Sequence, residues 1–197
     1  MCILLTAVTS LITRQHICIG SGRHIWTLTI NERGANTPLV LLHGVGSGVA
    51  LWVLNLESIA LSGRPIYAID VLGFGLSSHV DFSTDPTVAE MELIESLEAW
   101  RQAVKLDNFI LLGHCFGGYL AASYTIRYPS HVHHLILVDP WGFPEQDTRE
   151  PRIPIPLWVK VLLLVIQPFY PFSLLRTAGS WGEWIAFFLC NEYVTYF

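Results

Sequence analysis

Gly113-His114-Cys115-Phe116-Gly117 has the spacing of a nucleophile elbow, G-x-S-x-G, with cysteine where serine would stand. The chemistry this could do is acyl transfer. A thiol is a competent acyl acceptor, and at neutral pH it is more nucleophilic than a hydroxyl. A sharp turn from strand to helix would lift Cys115 above a sheet and leave no room for side chains two positions away. Gly113, Gly117 and Gly118 meet that need. The following helix would aim backbone N–H groups and its positive dipole end at the sulfur, which favours the thiolate. Taken alone, G-x-C-x-G also fits a buried cysteine in a glycine-rich turn, so its neighbours decide.

Acyl transfer needs a second N–H donor for the developing oxyanion. "LVLLHGVGSG" supplies a loop for it, His43-Gly44-Val45-Gly46. The backbone N–H groups of Val45 and Phe116 are the candidate donors, and Gly44, Val45, Gly46 and Phe116 form the candidate oxyanion and substrate-binding set. His43 is read as structural, its ring bonding loop backbone. Asp70 opens a further glycine-rich loop, "DVLGFGLSS", and is read as a brace for it through side-chain to backbone hydrogen bonds. His114 is read as serving the turn. Asp139 follows a strand at the same sheet end and is a candidate acid; the competing role is to cap its loop with Trp141. His131, His133 and His134 precede or begin that strand, at the opposite end from the elbow. "HLILVD", His134 to Asp139, is no catalytic pair, because five residues of strand separate its ends by about 17 Å on opposite faces.

The elements that must position these residues are legible. "PLVLLHG", "RPIYAID", "NFILLGH" and "VHHLILVD" are continuous apolar runs, as strands buried on both faces require. Ile25–Ile30 is a further strand. "ALWVLNLESIAL" has helical spacing, and Val88, Met91, Ile94, Leu97 and Val104 recur at helical intervals after an Asp85-Pro86 start. "GGYLAASYTIRYP" reads as a helix ending before Pro129. Alternation of strands and helices predicts a mostly parallel sheet with helices on both faces. With elbow, oxyanion loop and aspartate loop each ending a strand, the expected fold is the α/β-hydrolase fold. Residues 1–21 are expected to be a leader, buried or disordered, and 22–140 the N-terminal part of the hydrolase core. From 141 to 197 prolines punctuate a stretch rich in tryptophan, leucine and phenylalanine, expected to be a partial cap and an aberrant tail.

Composition narrows the function. The net charge is −5 and no basic block exists, which argues against a nucleic-acid partner. Cys2, Cys18, Cys115 and Cys190 are far apart, suggesting neither a zinc site nor a disulfide framework. No cofactor or metal is expected. The apolar run 157–166 is broken by Lys160 and is too short to span a bilayer.

"GRHIWTL", "TPLVLLHGVGSG", "DVLGFGLSS", "LLGHCFGGYLAASYTIRYP", "HLILVDPWGFPE" and "LLRTAGSWG" resemble one subfamily of α/β hydrolases. It comprises the lipid-droplet co-activator of adipose triglyceride lipase and a related lysophospholipase and N-acyl-phosphatidylethanolamine lipase. The resemblance implies ester hydrolysis or acyl transfer on (lyso)glycerophospholipids including lysophosphatidate; the alternatives are a non-catalytic lipase co-activator and an inactive truncated product. It implies a lipid acyl substrate, with a triglyceride lipase and a lipid-droplet coat protein as further partners. It implies a cytoplasmic protein, peripheral at a droplet or endoplasmic-reticulum surface, with the mitochondrion as an alternative. The lipase branch carries serine at the elbow and the co-activator branch asparagine; this chain carries Cys115. The family's acid and histidine follow the cap and have no counterpart before Phe197, so truncation and inactivity of the chain as given are expected. Trp158, Phe169, Tyr170 and Phe172 would belong to a cap that touches lipid or covers the pocket.

Overall fold

The computed structural model describes residues 12–143. The chain divides after Phe143, and everything described belongs to the first unit. The expected cap, its aromatic residues and the 157–166 run lie outside the described residues. Six strands form one sheet: β1 Ile12–Gly20, β2 Arg23–Ile30, β3 Leu39–Leu42, β4 Ile66–Ile69, β5 Phe109–His114 and β6 Val132–Val138. Their spatial order is β1-β2-β4-β3-β5-β6. β4, β3, β5 and β6 run parallel, while β1 and β2 are antiparallel to their neighbours. β1 occupies part of the stretch read as a leader.

The helices are α1 Val53–Ala60, α2 Pro86–Ala103 and α3 Phe116–Arg127, with a short 3-10 turn over Val49–Trp52. β3 and β4 are buried along their whole length, because helices cover both faces there. One face packs Val40, Leu42, Phe109 and Leu111 against Trp100 of α2 and Leu120 and Tyr124 of α3. The other packs Leu39, Leu41, Ile66 and Ala68 against Trp52 and Leu56. Removing these side chains from water is the main stabilising term.

α2 starts as its sequence directs. The Asp85 carboxylate accepts from the N–H groups of Thr87 (2.8 Å) and Val88 (3.3 Å), and Pro86 opens the first turn. Its C-terminal half is fixed by a buried polar network. Glu98 accepts from Arg101 Nε (2.9 Å) and Nη2 (2.7 Å), from Gln102 (2.8 Å) and from the Tyr124 hydroxyl of α3 (2.7 Å). Arg101 also donates to the Leu106 carbonyl, just ahead of β5. The hub therefore ties α2, α3 and the approach to β5, the three segments that set where the elbow stands.

Hydrogen bonds from Arg101, then from Tyr124 and Gln102, hold the Glu98 carboxyl at about 2, against an ordinary value of 4.5. A depressed carboxylate stabilises the fold fully above its unfolded value and loses that contribution as pH falls through the folded one. Glu98→Gln is expected to lower the unfolding free energy by about 2–4 kcal/mol near neutral pH. Urea titrations should show this difference shrinking between about pH 4.5 and pH 2.

Candidate active site

Because β3 to β6 are parallel and in register, their C-terminal ends are level: Leu42 pairs with Ile69 and Gly113, and His114 with Val138. The His43 loop, the Asp70 loop, the elbow and Asp139 thus share one end of the sheet. Cys115 is the hinge of the turn between β5 and α3, with φ 54° and ψ −117°. This is a strained conformation for a residue with a Cβ, costing about 1–3 kcal/mol, and it persists only where surroundings impose it. They do so here. Cys115 N–H donates to the Val138 carbonyl at 3.0 Å. Its carbonyl accepts from Gly118 (3.0 Å), Tyr119 (3.2 Å) and Trp141 (3.0 Å).

The glycines are required by contact. A Cβ on Gly113 would lie 2.2 Å from the Gly117 carbonyl oxygen, and one on Gly117 would lie 2.5 Å from the carbonyl oxygens of Leu42 and His43. α3 can therefore start directly on top of β3. Gly44 brings the His43 loop against the elbow: a Cβ there would stand 3.0 Å from Cys115 Cβ and 3.2 Å from His114 Nδ1. Gly44 is buried, Val45 half-buried and Gly46 exposed with φ 71°.

His43 orients this loop. Its Nε2 accepts the Val71 N–H at 3.0 Å, so the proton sits on Nδ1, which donates to the Gly44 carbonyl at 2.8 Å. Burial pushes the ring's pKa down, keeping it neutral. The Ser47 hydroxyl and N–H donate to the same Gly44 carbonyl at 2.8 and 3.3 Å. In a trans peptide the carbonyl and the next N–H point opposite ways. Fixing the Gly44 carbonyl therefore turns the Val45 N–H away from His43 and Ser47. By the same geometry, the three bonds to the Cys115 carbonyl direct the Phe116 N–H outward from the start of α3.

Asp70 is a brace, as its sequence context suggests. Its carboxylate accepts from the N–H groups of Val49 (2.7 Å) and Leu76 (2.8 Å). Gly75 permits this, since a Cβ there would lie 2.1 Å from the carboxylate. Asp139 is exposed with φ 46°, between two anchor points of the elbow, the carbonyl of Val138 and the N–H of Trp141. His114 packs its ring against Gly44, with Nδ1 buried and unpartnered. His131 bonds the Asp107 carbonyl at the far end of the sheet, where His133 and His134 also begin β6. Among the described residues no cluster of three metal-ligating side chains exists.

One feature of the site was not singled out from the sequence. Phe116 has ring neighbours Phe74 at 6.1 Å, Tyr119 at 6.3 Å and Trp141 at 6.4 Å. Each of these aromatics adjoins a glycine, which is the signal that could have found them.

Residues 37–164 match the family described as alpha/beta hydrolase fold. The chain belongs to that family. It is 47% identical over 181 residues to the mouse (Mus musculus) protein named 1-acylglycerol-3-phosphate O-acyltransferase ABHD5, covering 91% of this chain and 51% of that protein. It is 46% identical over 171 residues to the human (Homo sapiens) (lyso)-N-acylphosphatidylethanolamine lipase, covering 85% of this chain and 49% of the lipase. The chain thus spans about half the length of the curated relatives it matches. Among solved structures it resembles the 2-hydroxy-6-oxo-6-phenylhexa-2,4-dienoate hydrolase of Rhodococcus sp. strain RHA1, with TM-score 0.61 and 17% identity over 68% of this chain and 48% of that one. A serine hydrolase from Cycloclasticus zankles gives TM-score 0.60 at 20% identity over 68% and 47%. These two likenesses establish the α/β-hydrolase fold. Among the described residues no helix is long and apolar enough to cross a membrane.

If the elbow forces the backbone of Cys115, glycine should suit the position better than alanine. Cys115→Gly is expected to be more stable than Cys115→Ala by about 1 kcal/mol in urea unfolding. Gly117→Ala should cost about 3 kcal/mol or prevent folding, because its Cβ would meet two carbonyl oxygens of β3 and its loop.

Proposed function

We propose that Cys115 is the nucleophile of an acyl-transfer reaction on lipid esters, hydrolysing (lyso)glycerophospholipids or passing their acyl groups to an acceptor such as lysophosphatidate. The observation that carries this reading is the strained backbone of Cys115 at the strand-to-helix turn, packed directly against Gly44. The names of the relatives, an acylglycerol-phosphate acyltransferase and a lysophospholipid lipase, supply the substrate class.

In this mechanism the sulfur attacks the ester carbonyl carbon. A C–S bond forms, and the π electrons move to the oxygen, which the Val45 and Phe116 N–H groups receive. Collapse breaks the C–O bond, and the leaving alkoxide takes the proton that began on the thiol. Water or a lysophospholipid hydroxyl then resolves the thioester. His43 is excluded as the proton carrier because both its nitrogens are engaged. His131, His133 and His134 stand at the wrong end of the sheet. Asp139, at the same sheet end as Cys115, is the candidate acid, and Asp139→Asn is expected to slow turnover of lipid esters. Lipid substrates imply work at a droplet or membrane surface.

An activated aryl ester tests the first step alone, because p-nitrophenolate leaves without a proton. With p-nitrophenyl acetate the chain is expected to release about one equivalent of nitrophenolate and then turn over slowly. Intact-protein and peptide mass spectrometry should place the acetyl group on Cys115, and Cys115→Ala should lower the burst rate about 100-fold. Absence of an adduct at Cys115 would favour the alternative, a non-catalytic lipase co-activator in which Cys115 fills a pocket. Rapid multiple turnover that survives in Cys115→Ala would contradict the proposal outright.

A further inference from the structure

The turn after β6 is held in place at three points. Trp141 N–H donates to the Cys115 carbonyl at 3.0 Å. Gly142, with φ 83°, lies on the Tyr119 ring so closely that a Cβ would be 2.9 Å from it. Pro140 covers Gly118, where a Cβ would be 2.8 Å from the proline's own Cβ. A turn so well anchored could tuck its apolar side chains inward. Instead Trp141 and Phe143 are each 57% exposed.

These rings do not stand alone. The Trp141 indole meets Phe116 edge-on (interplanar angle 77°), and Phe116 continues to Phe74, making a row across the site end of the sheet. Its centre, Phe116, is also the residue whose N–H is assigned to the oxyanion. An ester carbonyl at Cys115 would therefore lie beside the row's centre. Large apolar side chains already ordered on a rigid support lose little further entropy when a ligand covers them. The ionisable side chain of this turn is Asp139, exposed and acidic. Its charge disfavours an anionic head group on this side and leaves the alkyl chain as the fitting occupant.

We infer that the Phe116–Trp141 half of this row is the wall along which the substrate's acyl chain lies, and that Trp141 sets the preference for long chains. The inference rests on Cys115 being the nucleophile. It adds to that reading a direction for the substrate, with the chain running from the sulfur toward the turn after β6.

The test is the ratio of Cys115 acylation rates by p-nitrophenyl octanoate and p-nitrophenyl acetate, read as nitrophenolate bursts under single-turnover conditions. The full chain is expected to favour octanoate. Trp141→Ala should lower the octanoate-to-acetate ratio about five- to ten-fold, and Trp141→Phe should restore most of it. Ile126→Ala, at an 83% exposed position of α3 outside the row, should leave the ratio unchanged. Because the result is a ratio within one protein, partial unfolding of a variant cancels. An unchanged ratio in Trp141→Ala overturns the inference while the nucleophile stands. Absence of acylation at Cys115 by either ester in the full chain overturns the nucleophile reading, and this inference with it.

Discussion

The site depends on one backbone group, the carbonyl of Cys115. It accepts N–H bonds from the first turn of α3 and from Trp141, while the Cys115 N–H binds β6. This ties β5, α3 and the turn after β6 at a single residue. The same bonds hold Cys115 at positive φ, a conformation that a free chain would abandon. The strain is offset by the core beneath it, in which α2 and α3 pack on a sheet buried along β3 and β4. At the contact itself, Gly113, Gly117 and Gly44 let three backbones meet.

Around that hinge, buried polar groups hold loops in place. His43 uses both ring nitrogens on backbone, and Asp70 uses both carboxylate oxygens the same way. A residue type that could do acid–base chemistry is thus committed to shape. The distinction is geometric. A side chain whose lone pairs and protons are already matched, and which is 1–2% exposed as these are, has nothing left for a substrate.

Much of this was legible in the sequence, for local reasons. The elbow is a short-range steric requirement, so its glycines announce it. The Asp85-Pro86 helix start and the apolar runs of β3 to β6 follow from equally local rules. What escaped is tertiary. β1 reads as a poor strand because Thr13, Arg14, Gln15 and His16 leave both of its faces exposed at the sheet's edge. The placement of β2 beside β4 rather than β3 depends on pairing across distant sequence. Glu98 and Arg101 look like an ordinary surface pair on a helix until Tyr124 and the Leu106 carbonyl close over them. The ring row joins three separate strand ends, and no periodicity reveals it.

The most direct measurement is a crystal structure of the chain acylated with p-nitrophenyl octanoate. The account predicts a thioester on Cys115 whose carbonyl oxygen lies about 2.7–3.1 Å from the nitrogens of both Val45 and Phe116. An acyl group on another side chain, or a thioester oxygen turned away from both N–H groups, would contradict it.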